Sequence, residues 1–262
     1  MKSSVNKFIV FAAKEFTENL RTKKLLVLVC VFVFIAMLSV LTARFMVEIF
    51  TALLSAEGSA ISIEVPPPVW TDSYAQLYNN LTEMGIIAFV MLFMGVILRE
   101  KSTGTIDLIQ AKGLSPTILV LAKFSVAAVI SLGALLIAVL VAYVYTLVLF
   151  EYGGNIGHVL FGAIPFGVFL LMMLALTMMW SAIVRSTAIC AVLGLGSFFI
   201  FMPLSMIPGI GRFMPGELLG HGGLLSAGAG GAQDFGAHAL AAVLVMILAL
   251  LAAIIALRRR EG

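Results

Sequence analysis

The sequence predicts an all-α integral membrane protein of six transmembrane helices. An N-terminal amphipathic interfacial helix precedes them, and short re-entrant outer helices come before the last span. Three observations predict this. Hydrophobic residues fill 62% of the 262 positions and charged residues only 11%, where a soluble domain averages about 25% charged; the mean hydropathy is +1.15. Six apolar runs have the character of membrane spans, which take about 20 residues to cross roughly 30 Å of hydrocarbon. With six crossings, 14 of the 16 Lys and Arg fall on the side of the N-terminus, and only Arg44 and Arg212 fall opposite. That bias predicts that both termini are cytoplasmic.

Residues 5–21 read as the interfacial helix. Val5, Phe8, Ile9, Ala12, Ala13, Phe16 and Leu20 share one stripe at helical spacing, with Lys7, Lys14, Glu18 and Arg21 opposite. Val10 and Phe11 break the pattern, and Glu15 sits at the edge of the stripe. Such a helix either lies in the headgroup layer, its lysines near anionic lipid, or packs on its neighbours as a cytosolic helix. The first span is 25–43, held by Arg21, Lys23 and Lys24. No small-residue cleavage site follows it closely, so it reads as retained.

Residues 44–83 read as a long outer connection carrying five acidic residues, among them Glu83. Pro66-Pro67-Pro68 excludes regular helix there. A short surface helix fits 45–54. Trp70, Tyr74 and Tyr78 suit the outer interface, and Asn80-Leu81-Thr82 matches a glycosylation sequon. The second span is 84–98, the third 118–149, the fourth 159–184, the fifth 188–202 and the sixth 237–257. The third run exceeds what a perpendicular crossing needs. Pro203 and Pro208 are expected to interrupt the fifth span, and the glycine-rich stretch 209–236 suits short half-helices dipping back into the outer leaflet. Cys30 and Cys190 lie in apolar runs and read as buried free thiols.

Several functions are disfavoured. The spans so drawn hold no ionisable residue at mid-membrane depth, which argues against an ion-coupled carrier. The chain has no P-loop, H-E-x-x-H or G-x-S-x-G motif, so it reads as no enzyme. No basic groove with interleaved aromatics points to nucleic acid. His221 and His238 lack partners at ligand spacing, so no metal is expected. What remains is the polar segment 99–117 between spans two and three. Ser102 or Thr103 is placed to cap a short helix over 105–111. Leu108 and Ile109 can enter a partner's cleft while Arg99, Lys101, Asp107 and Lys112 orient it. A solvated loop is the plainer reading of the same charges.

This segment resembles the signature of type-2 ATP-binding-cassette (ABC) permeases. Glu100, then Gly104-Thr105, Leu108-Ile109, the turn Gly113-Leu114-Ser115-Pro116 and Lys123 follow the family's order. The turn departs from the usual Pro-Val-Ser-Arg, with Gly113 for Pro and Pro116 for Arg. Lys14-Glu15-Phe16 with Arg21 is similar to the family's opening helix, and Ser181–Ser186, with Arg185, to its inner turn. The long first outer loop looks most like permeases encoded near copper-enzyme maturation systems. The resemblance implies one permease domain over 1–262, a docking loop at 99–117, and a subunit of an exporter in the cell membrane. Two permease subunits would form the pathway. Separate soluble ATPase subunits would dock on Arg99, Glu100, Lys101, Gly104, Thr105, Asp107, Leu108 and Lys112, and would carry the ATP and Mg. No cofactor is expected on this chain. A non-transporting membrane anchor or scaffold, or a secondary carrier, stays open.

Overall fold

The computed structural model describes residues 2–56, 66–106, 108, 113–205, 207 and 211–258. Among them six helices are long and apolar enough to cross a membrane, and there is no strand.

Helix α1 (Lys2–Arg21) packs on the third span, α7 (Pro116–Phe150), and on the start of the first, α2 (Lys24–Arg44). It has two apolar faces. Val5, Ile9, Phe16 and Leu20 are exposed, as befits a lipid-facing stripe, whereas Phe8, Phe11, Ala12, Glu15 and Asn19 turn inward. Phe11, which breaks the exposed stripe, thus belongs to the packing face. Glu15, at the stripe's edge, is the most buried charged group of the helix.

The second span differs most from expectation. The helical segment begins at Trp70, not near residue 84, and runs to Ser102. It comprises α4 (Trp70–Asn80), a π-helical turn (Leu81–Gly85), α5 (Ile86–Phe93), a break at 94–97, and α6 (Leu98–Ser102). Polar residues at 72–83 concealed the helix. Some of them are held by other helices: Asn80 is buried and donates to Ser39 Oγ of α2 at 2.9 Å, and Gln76 donates to Asn80 Oδ1. Asn80 is therefore a structural residue rather than a glycosylation acceptor. Tyr74 and Tyr78 are also fully buried rather than interfacial. Tyr74 Oη donates to the Gly153 carbonyl at 2.7 Å, and Trp70 packs edge-on against Tyr152, which ties α4 to the outer turn. Glu83, assigned to the outer connection, lies within this helical span and is exposed.

Helix α3 (Met46–Ala56) follows α2. The fourth span, α8 (Ile156–Ile183), is the hub: it contacts α5, α7, the fifth span α9 (Thr187–Ser205), the short helix α10 (Leu218–Ser226) and the sixth span α11 (Ala232–Arg258). Of its most apolar stretch 67% is buried, against 22% for α9. Pro203 does not interrupt α9, which continues to Ser205; Pro208 lies outside the described residues. Cys190 is buried, but Cys30 is exposed on the outer face of α2.

Two 3-10 turns (Gly211–Phe213, Pro215–Glu217) and α10 form the expected short elements before the last span. Glycine lets α10 approach its neighbours. A Cβ at Gly162 of α8 would collide with Ser226 Oγ and the Gly222 carbonyl, and one at Gly222 with the Tyr78 ring. Gly162→Ala is therefore expected to destabilise by about 1–3 kcal/mol through overpacking. Gly220→Ala in the same region, where a Cβ meets nothing within 4 Å, is expected to keep or raise the melting temperature. Thermal unfolding of both variants in detergent checks this.

Candidate functional site

The signature residues converge at the basic end of the bundle. Lys123 of α7 is 4% exposed, Glu15 of α1 4% and Glu100 of α6 8%. Lys123 Nζ donates to Glu15 Oε2 at 2.7 Å and lies 3.0 Å from Glu100 Oε1. The second contact is electrostatic rather than a well-aligned hydrogen bond, since Glu100 has no hydrogen-bond partner. Lys14 bridges the outside of the cluster, 3.1 Å from Glu15, 2.9 Å from Glu18 and 3.6 Å from Glu100. The Phe11 ring lies under both ammoniums. Three segments distant in sequence thus meet in one ion cluster.

The environment sets the charges. Burial works against the Lys14 ammonium, but the bond to Glu18 and the charges of Glu15 and Glu100 outweigh it and hold its pKa above the ordinary lysine range. The bond from Lys14 holds the Glu18 carboxyl below the ordinary carboxylate range, against a lesser effect of burial. A carboxyl so lowered contributes stability above that range and loses it as pH falls through the folded value. Glu15, Glu18 and Glu100 bring oxygens within 4.8 Å of one another, a spacing that suits a metal. Lys14 and Lys123 already neutralise these oxygens, so the cluster's cations are its own lysines.

A second joint holds the break in the second span. At 94–97 the helical ladder fails, and the Ile97 and Leu98 amides both donate to Ser181 Oγ of α8, at 3.1 and 2.9 Å. A hydroxyl oxygen has two lone pairs and can accept both. Lys101 Nζ donates to the Ala182 and Val184 carbonyls at 2.7 and 2.6 Å, capping the C-terminus of α8. Glu100 and half-buried Lys101 therefore each engage one joint.

The loop's outer surface is made by other residues. Arg99 is exposed, as is Leu108, at 67%. The Ser102 and Thr103 hydroxyls both donate back to the Arg99 carbonyl and close α6; most of 105–111, the helix they are expected to cap, lies outside the described residues. Thr105 and Ile106 are helical, with Ile106 in the core. Gly104 has φ +68, a conformation that favours glycine. Asp107 and Lys112 lie outside the described residues. Gly113, at φ +79, could not be proline, and its carbonyl accepts from Lys7 of α1 at 2.9 Å. Ser115 caps α7 and Pro116 is its first residue, which accounts for the altered turn. Arg21 and Arg185 are both exposed, Arg21 ending α1 and Arg185 in the α8–α9 turn.

Sequence reasoning did not foresee the inward face of α1, nor the Ser181 and Lys101 contacts. The spacing 8, 11, 12, 15, 19 was the available signal for the first. At the opposite end the His221 and His238 rings lie 5.6 Å apart, and among the described residues no third ligand-bearing side chain joins them.

Lys123→Met would leave two buried carboxylates with only the half-exposed Lys14 as counter-charge and is expected to cost about 3–5 kcal/mol. Adding Glu15→Gln and Glu100→Gln should restore most of it, read as the denaturation midpoint in detergent. Ser181→Ala orphans two amides and is expected to cost about 1–3 kcal/mol by the same measurement.

A family model described as ABC-2 family transporter protein matches residues 9–216. No curated protein matches the chain.

Proposed function

The chain belongs to the ABC-2 family of transporter proteins, and from that premise we propose that it is the membrane subunit of an exporter driven by separate ATPase subunits. One observation carries the coupling mechanism: α6, which leads directly into the docking loop, is joined to α1 and α7 through Glu100 and to α8 through Lys101 and the Ser181 bonds. A push on the loop is then shared by four helices. The surface of exposed Arg99, Ser102 and Leu108 with half-buried Gly104 and Thr105 receives the partner; the docking roles of Asp107 and Lys112 rest on the resemblance alone. Glu100 and Lys101 transmit the movement rather than touch the ATPase. ATP and Mg bind on that partner, and this chain supplies no catalytic residue. ATP-driven closure of the partner shifts the bundle only if the partner has different affinities for the bundle's two arrangements.

Glu83 supports the pairing of two permease subunits. It is exposed about four helical turns from Leu98, beside Met84, Ile87 and Met91, which are also exposed. A carboxylate facing hydrocarbon is costly. A second subunit, or water in a pathway between two subunits, removes that cost. We place the basic end in the cytoplasm on the bias of Lys and Arg.

The test is a crosslink. Thr105→Cys, carrying a photoactivatable reagent in native membranes, is expected to capture a soluble nucleotide-hydrolysing protein. Capture of none, from a chain that keeps its melting temperature, would refute the docking assignment.

A further inference from the structure

A cleft of about 460 Å3 opens at the basic end, between the start of α2, the break in the second span and the α8–α9 turn. Lys24, Arg99 and Arg185 all line it. Unlike their neighbours Lys14, Lys101 and Lys123, these three have no ion-pair or hydrogen-bond partner among the described residues. Arg99 and Lys123 repel Lys24, and the nearby carboxylates of Glu18 and Glu15 offset this only in part; an anion placed among the cations of the cleft removes the repulsion. Ser102, Ser186 and Thr187 add hydroxyls to the lining. Thr187 also opens a 19-residue helix, whose first amides lack intrahelical partners and favour an anion.

The rest of the lining is apolar. Met91 and Leu92 continue from this cleft into a second one of about 250 Å3, which Val27, Leu28, Val31 and Ala88 complete. A groove lined by apolar side chains between α2 and α5 thus adjoins the cationic pocket, with Met91 and Leu92 common to both. A free phosphate has no use for the groove, and an acidic protein surface would leave it unfilled.

We propose that this is a binding site for an anionic phospholipid. Its phosphate lies among Lys24, Arg99 and Arg185, and one acyl chain lies in the groove along Val31 and Ala88. Basic pockets between membrane helices take anionic headgroups in this way. The site shares Arg99 and Ser102 with the surface assigned to the ATPase, whereas Lys24, Arg185 and the groove lie outside that surface; it needs only that this end of the bundle lies at a membrane surface.

Native mass spectrometry of the detergent-purified chain tests it, with dioleoyl phosphatidylglycerol, dioleoyl phosphatidylcholine and inorganic phosphate as probes. Phosphatidylglycerol is expected to bind one tight site, and phosphatidylcholine to bind more weakly. Lys24→Gln with Arg185→Gln is expected to weaken phosphatidylglycerol about fivefold per cation removed. Lys24→Arg with Arg185→Lys, which keeps both charges, should preserve it. Ala88→Trp should weaken phosphatidylglycerol by filling the groove. Unchanged phosphatidylglycerol binding in the glutamine pair, loss of binding in the charge-preserving pair, or inorganic phosphate binding as tightly as the lipid would each overturn the proposal.

Discussion

One ammonium held between two carboxylates, nearly closed to solvent, organises the basic end of this protein. Moving Lys123, Glu15 and Glu100 out of water costs several kcal/mol per ion, and their attraction repays this only when the geometry is complete. The two carboxylates without Lys123 would be buried charge with no buried counter-ion. The segments around positions 15, 100 and 123 therefore come together as a unit. Once Glu100 is seated, α6 is positioned, so Ser181 can reach the Ile97 and Leu98 amides and Lys101 can cap α8. The two joints share a five-residue helix and depend on each other.

The break at 94–97 gives that helix its independence from the span above it. A continuous helix would carry α6 rigidly on α5. Here the backbone groups freed by the break are satisfied from α8, a different span, so α6 belongs mechanically to α8 as much as to α5. The π-helical turn at Leu81–Gly85 adds a second irregularity in the same span, and such turns often occur at functional sites. The second span is thus three pieces whose angles are set by their neighbours, not by a single ladder.

The class of fold was legible because lipid imposes simple demands: apolar length and the placement of lysine and arginine. The frame of signature residues was legible too, because Glu15, Glu100 and Lys123 keep their order in the chain. What escaped was anything set by a partner helix. Asn80 and Gln76 look like loop residues until Ser39 is brought opposite them. Glu15 looks like an edge residue until Lys123 arrives. Tyr74 and Tyr78 look interfacial until α10 and the outer turn cover them. Polar side chains in a membrane protein report either water or a specific partner, and a single chain read in order does not distinguish the two.

The bond from Asn80 to Ser39 also bears on how the chain enters the bilayer. Synthesis delivers the N-terminal segments first, so α2 is in place when α4 emerges. Alone, a segment carrying Asp72, Gln76 and Asn80 would be poorly retained by lipid. With α2 waiting, Ser39 offers a hydrogen-bonding group at the right depth, and polar contacts of this kind join helices within membranes. The first span thus carries a partner for Asn80 before the second is made.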